Sequence, residues 1–270
     1  MKTSELVSQI IQKRSYLCVG LDTDVNKIPS HLGRDISSVL NFNREIIEAT
    51  SEYAVAYKIN TAFYEQYGSD GWNLMQDTLD LIPKECFTIA DAKRGDIGNT
   101  GEMYARAFLE NMSFDSITVN PYMGFDNVQP FLKTGKTVIM LGLTSNPGSK
   151  DFQFLKSDGK YLFEHVIKTA SEWSDSDQMM FVVGATQTEM LARIRTLVPN
   201  HFLLIPGVGS QGGSLSEVSK FGLNERCGLL VNSSRAIIYA SNDSDFAVRA
   251  GAEAKKMRDE MNQFLTLNHL

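Results

Sequence analysis

Histidine and cysteine are scarce in this 270-residue chain, at four and three residues. His31, His165, His201 and His269 stand in no ligand or triad spacing, and Cys18, Cys86 and Cys227 form no C-x-x-C pair. Neither a metal centre nor a disulfide framework is therefore expected. Each cysteine lies beside a short apolar run, as a small buried hydrophobe in a reducing compartment would. Positive charge is short too: 26 Lys and Arg against 32 Asp and Glu leave a formal charge of −6. That balance supplies no bulk field for nucleic acid or an anionic membrane, so neither is an expected partner. A local cluster of donors can still hold a small anion. No apolar run approaches the ~18 residues of a membrane span. Met1–Arg14 has amphipathic helical spacing instead of a signal-peptide core, and the expectation is a cytoplasmic protein. Linkers, charge runs and low-complexity tracts are missing, so residues 1–270 are expected to form one domain. With 43% hydrophobic residues, 15 Phe and 9 Tyr, the chain has ample apolar surface for a core.

What the chain does have is a regular alternation. Apolar runs suited to strands lie at Leu17–Asp22, Ala54–Asn60, Phe87–Lys93, Ser116–Asn120, Thr137–Ser145, Met179–Thr186, Phe202–Gly209 and Gly228–Ser233. Segments with a 3.6-residue rhythm separate them: Val39–Glu52, Trp72–Leu81, Thr100–Asn111, Val128–Lys133, Tyr161–Trp173, Glu189–Leu197, Leu215–Phe221 and Phe246–Phe264. Eight strand–helix units of about 34 residues each predict a (β/α)8 TIM barrel. A doubly wound open sheet would also alternate, but no G-x-G-x-x-G follows Leu17–Asp22. The long non-periodic stretch Thr144–Lys160 is expected to be a loop at the C-terminal face, where barrels build their active sites.

Polar residues collect where the apolar runs end. Asp22 closes the first strand and Lys58 the second, followed by Asn60; Asp91 and Lys93 close the third, with Asp96 in the loop beyond. A strand has a side-chain period of two, so Asp91 and Lys93 share one face, as do Lys58 and Asn60. Neighbouring strands bring these groups to one mouth with alternating sign. An Asp91–Lys93 pair alone could be a structural ion pair; its coincidence with Lys58 and Asp22 points to function, because burying several charges is costly. A second cluster follows the seventh and eighth strands: Pro206-Gly207-Val208-Gly209-Ser210-Gln211-Gly212-Gly213 and Asn232-Ser233-Ser234-Arg235. Glycines that expose backbone N–H groups, with an arginine on the next strand, suit a phosphate. At Thr144 and Ser145 two readings stand, contacts to a polar ring edge or turn residues. Asn99 with Glu102 has the spacing of a capping box, so a structural role competes with a substrate contact for Asn99 and Thr100.

The segment Ala90-Asp91-Ala92-Lys93-Arg94-Gly95-Asp96-Ile97-Gly98-Asn99-Thr100 closely resembles the signature of the orotidine 5′-phosphate decarboxylase family. The resemblance runs along the chain through Gly20-Leu21-Asp22, Tyr57-Lys58-Ile59-Asn60, Asn120-Pro121-Tyr122-Met123-Gly124, Thr144-Ser145-Asn146-Pro147-Gly148, Pro206-Gly207-Val208-Gly209 with Gln211, and Arg235. The Asn-Pro-Tyr-Met-Gly and Thr-Ser-Asn-Pro-Gly segments are similar to the longer-chain branch. One departure is Ser234, where many members have glycine before the arginine.

That resemblance implies a cofactor-free, metal-free carboxy-lyase that converts orotidine 5′-monophosphate to UMP and CO₂. It implies Lys93 as proton donor to C6, Asp91 beside the departing carboxylate and Lys58 as holder of the charge network. Asp22 and Asn60 would contact the ribose, Thr144 and Ser145 the pyrimidine edge, and Gln211 and Arg235 the phosphate. Ile97, Pro206 and Ser234 complete the expected substrate contacts. Asp96 and Thr100 would reach into a neighbouring subunit, which implies a homodimer with shared sites. The rival reading is a Mg²⁺-dependent sugar-phosphate decarboxylase or aldolase on a related barrel. Such enzymes carry a metal-binding glutamate where this chain has Lys58, and a lysine opposes a divalent cation. A silent nucleotide-binding barrel is a further rival, but it would be expected to lose Asp91 or Lys93.

Overall fold

The computed structural model describes residues 1–185, 188–208 and 213–270, and among these eight parallel strands close a barrel. Chain order is kept around it: β1 (Leu17–Gly20), β2 (Ala56–Asn60), β3 (Phe87–Arg94), β4 (Ser116–Val119), β5 (Thr137–Leu143), β8 (Met179–Val183), β9 (Phe202–Pro206) and β10 (Leu229–Ser233), which pairs back onto β1. The strands are nearly continuous in buried residues, as they must be when side chains fill the barrel on one face and meet helices on the other. Several stop short of the expected ranges. β1 ends at Gly20, β5 at Leu143 and β9 at Pro206, so Asp22, Thr144 and Ser145 stand in the loops of the mouth.

The outer helices follow from their apolar stripes. In α2 (Ile36–Thr50) the buried positions Val39, Phe42, Asn43, Ile46, Ile47 and Thr50 recur at three- and four-residue steps. Asn43 is the polar member, and it ties the loop after β1 to two more helices. It accepts from the Thr23 hydroxyl at 2.6 Å and donates to Tyr64 of α3 (Ala62–Glu65) and Thr78 of α4 (Ser69–Asp80). The Tyr64 hydroxyl in turn donates to the Leu21 carbonyl at 3.1 Å, which fixes the chain beside Asp22. The long α12 (Phe246–Leu267) packs against α2 so closely that a Cβ at Gly251 would stand 2.8 Å from the Ala49 carbonyl oxygen. The remaining barrel helices are α8 (Leu162–Ala170), α9 (Thr188–Leu197) and α10 (Leu215–Gly222). The N-terminal α1 (Thr3–Lys13) spans the opposite end of the barrel. Its Lys13 ammonium donates to Ala54 ahead of β2, and its Thr3 hydroxyl to Asp177 ahead of β8.

Three expected elements differ. The rhythm over Thr100–Asn111 is realised as α5 (Gly98–Ala105) running into a π-helical turn, Arg106–Asn111. Val128–Lys133 is not one helix: α6 (Phe125–Val128) gives way to a 3₁₀ turn, because Pro130 has no N–H to continue an α-helix. The stretch Thr144–Lys160 contains α7 (Ser149–Phe152) and most of a hairpin of β6 (Lys156–Ser157) and β7 (Lys160–Tyr161), which ends one residue beyond it. Its two turn residues, Asp158 and Gly159, both have positive φ, the conformation a two-residue hairpin turn requires.

His201, just ahead of β9, has both ring nitrogens buried without a hydrogen-bond partner among the described residues. Burial, with the Arg195 guanidinium beside it, pushes its pKa down to about 4. The unfolded chain takes up that proton near pH 6.5 while the native state refuses it, so His201 costs stability as pH falls from 6.5 toward 4. His201→Phe should flatten the decline of Tm across that window, measured by thermal unfolding at several pH values. Parallel declines in variant and wild type would contradict the assignment.

Candidate active site

Two adjacent strands and the exit of a third place four charged side chains in a row. The register pairs Gly20 with Lys58 and Asn60 with Asp91, so residues of like parity face the same mouth. The Lys58 ammonium lies 3.2 Å from Asp22 Oδ1 and 3.0 Å from Asp91 Oδ2, and the Lys93 ammonium lies 2.7 Å from Asp91 Oδ1. The order Asp22, Lys58, Asp91, Lys93 therefore alternates in sign, as expected from the sequence. Exposure is lowest in the middle of it: the Asp22 side chain is 21% accessible, Lys58 5% and Asp91 12%, whereas Lys93 is 51% accessible. Burial alone would drive protons off Lys58, but Asp91 and Asp22 outweigh it and hold the ammonium above the ordinary lysine range. Burial likewise opposes ionisation of Asp91, and Lys58 and Lys93 overturn that, holding its carboxyl well below the usual carboxylate range. The row ends in a cation that solvent or a ligand can reach.

Two residues to which the sequence assigned no role support this row. Arg94 follows Lys93 and pins the end of β3. Its guanidinium pairs with Glu65, donates to the Ala92 carbonyl at 2.9 Å, and lies over the rings of Tyr104 and Phe108. Thr118 of β4 places its hydroxyl between Asp91 and the Lys93 backbone.

Asp96 does not join the row; its Oδ1 accepts from the Ile97 N–H at 2.8 Å. A Cβ at Gly101 would stand 2.4 Å from the Asp96 carbonyl oxygen, so glycine lets α5 seat against this loop. The capping box expected at Asn99 is not formed. Gly98 enters with φ +54° and opens the helix ahead of Asn99, no side chain caps that start, and Glu102 pairs with Lys133 and Arg106 instead. Thr100 and Ile97 are exposed on the same turn.

On the far side of the mouth, Thr144 is bound into its own loop. Its hydroxyl donates to Asn146 Oδ1 at 2.6 Å and accepts from Gln153, whose Oε1 receives the Thr144 N–H. Ser145 packs on Gly184, where a Cβ would meet the Ser145 Cβ at 2.7 Å. Pro206 ends β9 and accepts the Ala185 N–H. Among the described residues, the buried Ser234 hydroxyl has no hydrogen-bond partner and Arg235, the exposed first residue of α11 (Arg235–Ile238), makes no ion pair. Gln211 lies outside the described residues. Because β10 pairs with β1, Arg235 leaves the barrel beside the strand whose exit carries Asp22. Among the described residues no group of three or more His, Cys, Asp or Glu is placed to hold a metal ion, and Lys58 fills the space between the two carboxylates of the row.

A closed parallel barrel with a row of side chains alternating in charge at the C-terminal ends of its strands is built as an enzyme of the (β/α)8 class. The chain belongs to the orotidine 5′-phosphate decarboxylase / HUMPS family, whose sequence model matches residues 15–250. It is similar to the orotidine 5′-phosphate decarboxylase of Christiangramia forsetii, at 55% identity over 97% of each chain. Among solved structures it is similar to Leishmania donovani OMP decarboxylase, with a TM-score of 0.82 and 35% identity over 96% of this chain and 99% of that one. It also matches Leishmania donovani UMP synthase, with a TM-score of 0.87 and 36% identity, covering 96% of this chain and 55% of that longer one.

Removing one partner of a buried pair leaves the other charge uncompensated. Lys58→Met should lower unfolding stability by about 3–5 kcal/mol at pH 7. The deficit should narrow on acidification, because without Lys58 burial raises the Asp91 pKa and protonation then relieves its charge. Urea unfolding measures both. A loss below about 1 kcal/mol, the range of exposed pairs, would contradict a buried network.

Proposed function

We propose that this chain is an orotidine 5′-phosphate decarboxylase, which converts orotidine 5′-monophosphate to UMP and CO₂, the last step of de novo UMP biosynthesis. The observation that carries the reading is the row Asp22–Lys58–Asp91–Lys93, with its exposed end a lysine. Loss of CO₂ breaks the C6–carboxylate bond and leaves its electron pair on C6, which has no electron sink. A cation must already stand where that charge develops. Lys93 supplies it and then transfers an ammonium proton to C6, leaving an amine that solvent reprotonates. Asp91 sits beside the departing carboxylate, and Lys58 keeps it ionised and aligned while pairing with Asp22. No cofactor enters this sequence of steps. A Mg²⁺-dependent sugar-phosphate enzyme is disfavoured, because the Lys58 ammonium occupies the position between the carboxylates.

The rest of the mouth divides by chemistry. Asp22 and Asn60 hold the ribose; Ser145, with Thr144 setting its loop, meets the pyrimidine edge. Arg235 and Gln211, flanked by Pro206 and Ser234, take the phosphate, where charge-assisted hydrogen bonds far from C6 help stabilise the transition state. Asp96, Ile97 and Thr100 act across a two-fold axis in the site of a second copy. An apolar surface around them supports that assembly: Ile97 is 56% exposed, Met103 45%, Tyr122 93% and Met123 50%. Residues 1–270 work as one unit. No helix among the described residues is long and apolar enough to cross a membrane. With a net charge of −6 the chain fits a cytoplasmic nucleotide enzyme without nucleic-acid partners.

Turnover of orotidine 5′-monophosphate by the purified chain, followed by ultraviolet absorbance with a chelator present, tests this reading. Wild type should be active, and Lys93→Ala inactive with its fold and nucleotide binding retained. Near-normal decarboxylation by Lys93→Ala would remove it as proton donor. Mixing inactive Asp96→Ala and Lys93→Ala chains tests the shared site. A heterodimer holds one site with both defects and one with neither, so free exchange should restore about a quarter of wild-type activity. A mixture that exchanges subunits and stays inactive would confine Asp96 to its own chain.

A further inference from the structure

The end of β3 is bent away from regular pairing. Between Ala90 and Arg94 the register with β4 shifts: Ala90 pairs with Ile117, and Arg94 with Val119. Lys93 has φ +48°, a conformation that residues other than glycine rarely adopt. The odd-numbered residues of β3 turn their ladder groups toward β2, as Phe87 does to Val55 and Asp91 to Thr61, so in a regular ladder the Lys93 N–H would point that way too. Here it donates to the Thr118 hydroxyl oxygen at 2.9 Å, and that hydroxyl donates to Asp91 Oδ1 at 3.0 Å. The same Asp91 oxygen accepts the Lys93 ammonium at 2.7 Å. Thr118 thus closes a ring through the Lys93 backbone, the Asp91 carboxylate and the Lys93 side chain. At 1% exposure it is closed off from any ligand.

We infer that Thr118 is a positioning residue for the decarboxylation: its single hydroxyl holds the bulge that aims the Lys93 ammonium and fixes the direction of the Asp91 carboxylate. The inference rests on the reading of Lys93 as proton donor. Valine has the shape of threonine without the hydroxyl, and serine keeps the hydroxyl without the methyl group. Thr118→Val leaves the Lys93 N–H without its acceptor and removes one of the two donors to Asp91 Oδ1, with little change in packing volume.

Measuring kcat, KM and Tm for wild type, Thr118→Val and Thr118→Ser with orotidine 5′-monophosphate tests it. Misaimed reacting groups lose rate steeply, so Thr118→Val should lower kcat by about 10- to 100-fold with KM within about threefold of wild type. Thr118→Ser should keep kcat within about threefold, even if its Tm falls further. The acid limb of kcat/KM should move to higher pH in Thr118→Val, because a donor to the ionised form of Asp91 has gone. Wild-type kcat in Thr118→Val, or equal loss in both variants, would overturn the inference. If Thr118→Val does not fold, a folded Thr118→Ser with kcat down tenfold or more overturns it equally, and one within threefold upholds it. An inactive wild type would bring down the functional reading and this inference with it, whereas an active wild type matched by Thr118→Val brings down the inference alone.

Discussion

The contact between the Lys58 ammonium and the Asp91 carboxylate, buried at the end of two adjacent strands, is the constraint on which the rest of this molecule turns. Two charges taken out of water at that depth cost more than their mutual attraction returns unless every remaining lone pair and proton is matched. The matching is visible: Asp22 takes a second proton of Lys58, while Thr118 and Lys93 fill the other oxygen of Asp91. The five groups come from four successive strands or their exits, β1 through β4, with Asp91 and Lys93 both on β3. The pair therefore demands a particular register across half of the barrel. The core beneath and the Asn43–Tyr64–Leu21 hydrogen bonds behind β1 are what hold that register.

Closure of the barrel then sets the opposite half. With β10 returned to β1, the exit that carries Ser234 and Arg235 stands beside the exit that carries Asp22. The mouth has a carboxylate-bearing side and a guanidinium side. A ligand with a phosphate at one end and a reacting ring at the other would span them. An acidic protein can concentrate an anion in this way because the cations are local, and the net charge away from the mouth does not decide what binds there.

The barrel was legible because its strands are buried on both faces and its helices on one, so the period of the apolar residues changes at nearly every boundary. Asp91, Lys93 and Lys58 were legible for a related reason: charge at the end of an apolar run, at even spacing, has few structural uses. What escaped depends on geometry that spacing does not carry. Thr118 sits in Ser116-Ile117-Thr118-Val119, where a β-branched residue is an ordinary strand former, and its hydroxyl matters only because β3 bulges opposite it. The bulge itself has no mark in Ala92-Lys93-Arg94, since a non-glycine residue at positive φ follows from tertiary contacts. Arg94 has no role readable from spacing, because its partners Glu65, Tyr104 and Phe108 are brought to it only by the fold. Asn99 erred in the other direction: the capping spacing is present, but Gly98 opens the helix before it. The Asp158-Gly159 hairpin had a local signal, the dipeptide itself, inside a stretch whose length pointed to a loop.

The account stands on Asp91 being ionised and doubly paired. Carbon-13 NMR of the aspartate side-chain carboxyls, with Asp91 assigned from Asp91→Asn, reads that state in the folded enzyme. The account predicts an Asp91 resonance at the ionised position that does not move between pH 7 and pH 4.5, because Lys58 and Lys93 hold its pKa well below the usual carboxylate range. A titration with its midpoint inside that window would mean that burial wins over the two lysines. The row of alternating charges could not then be the working core of the site.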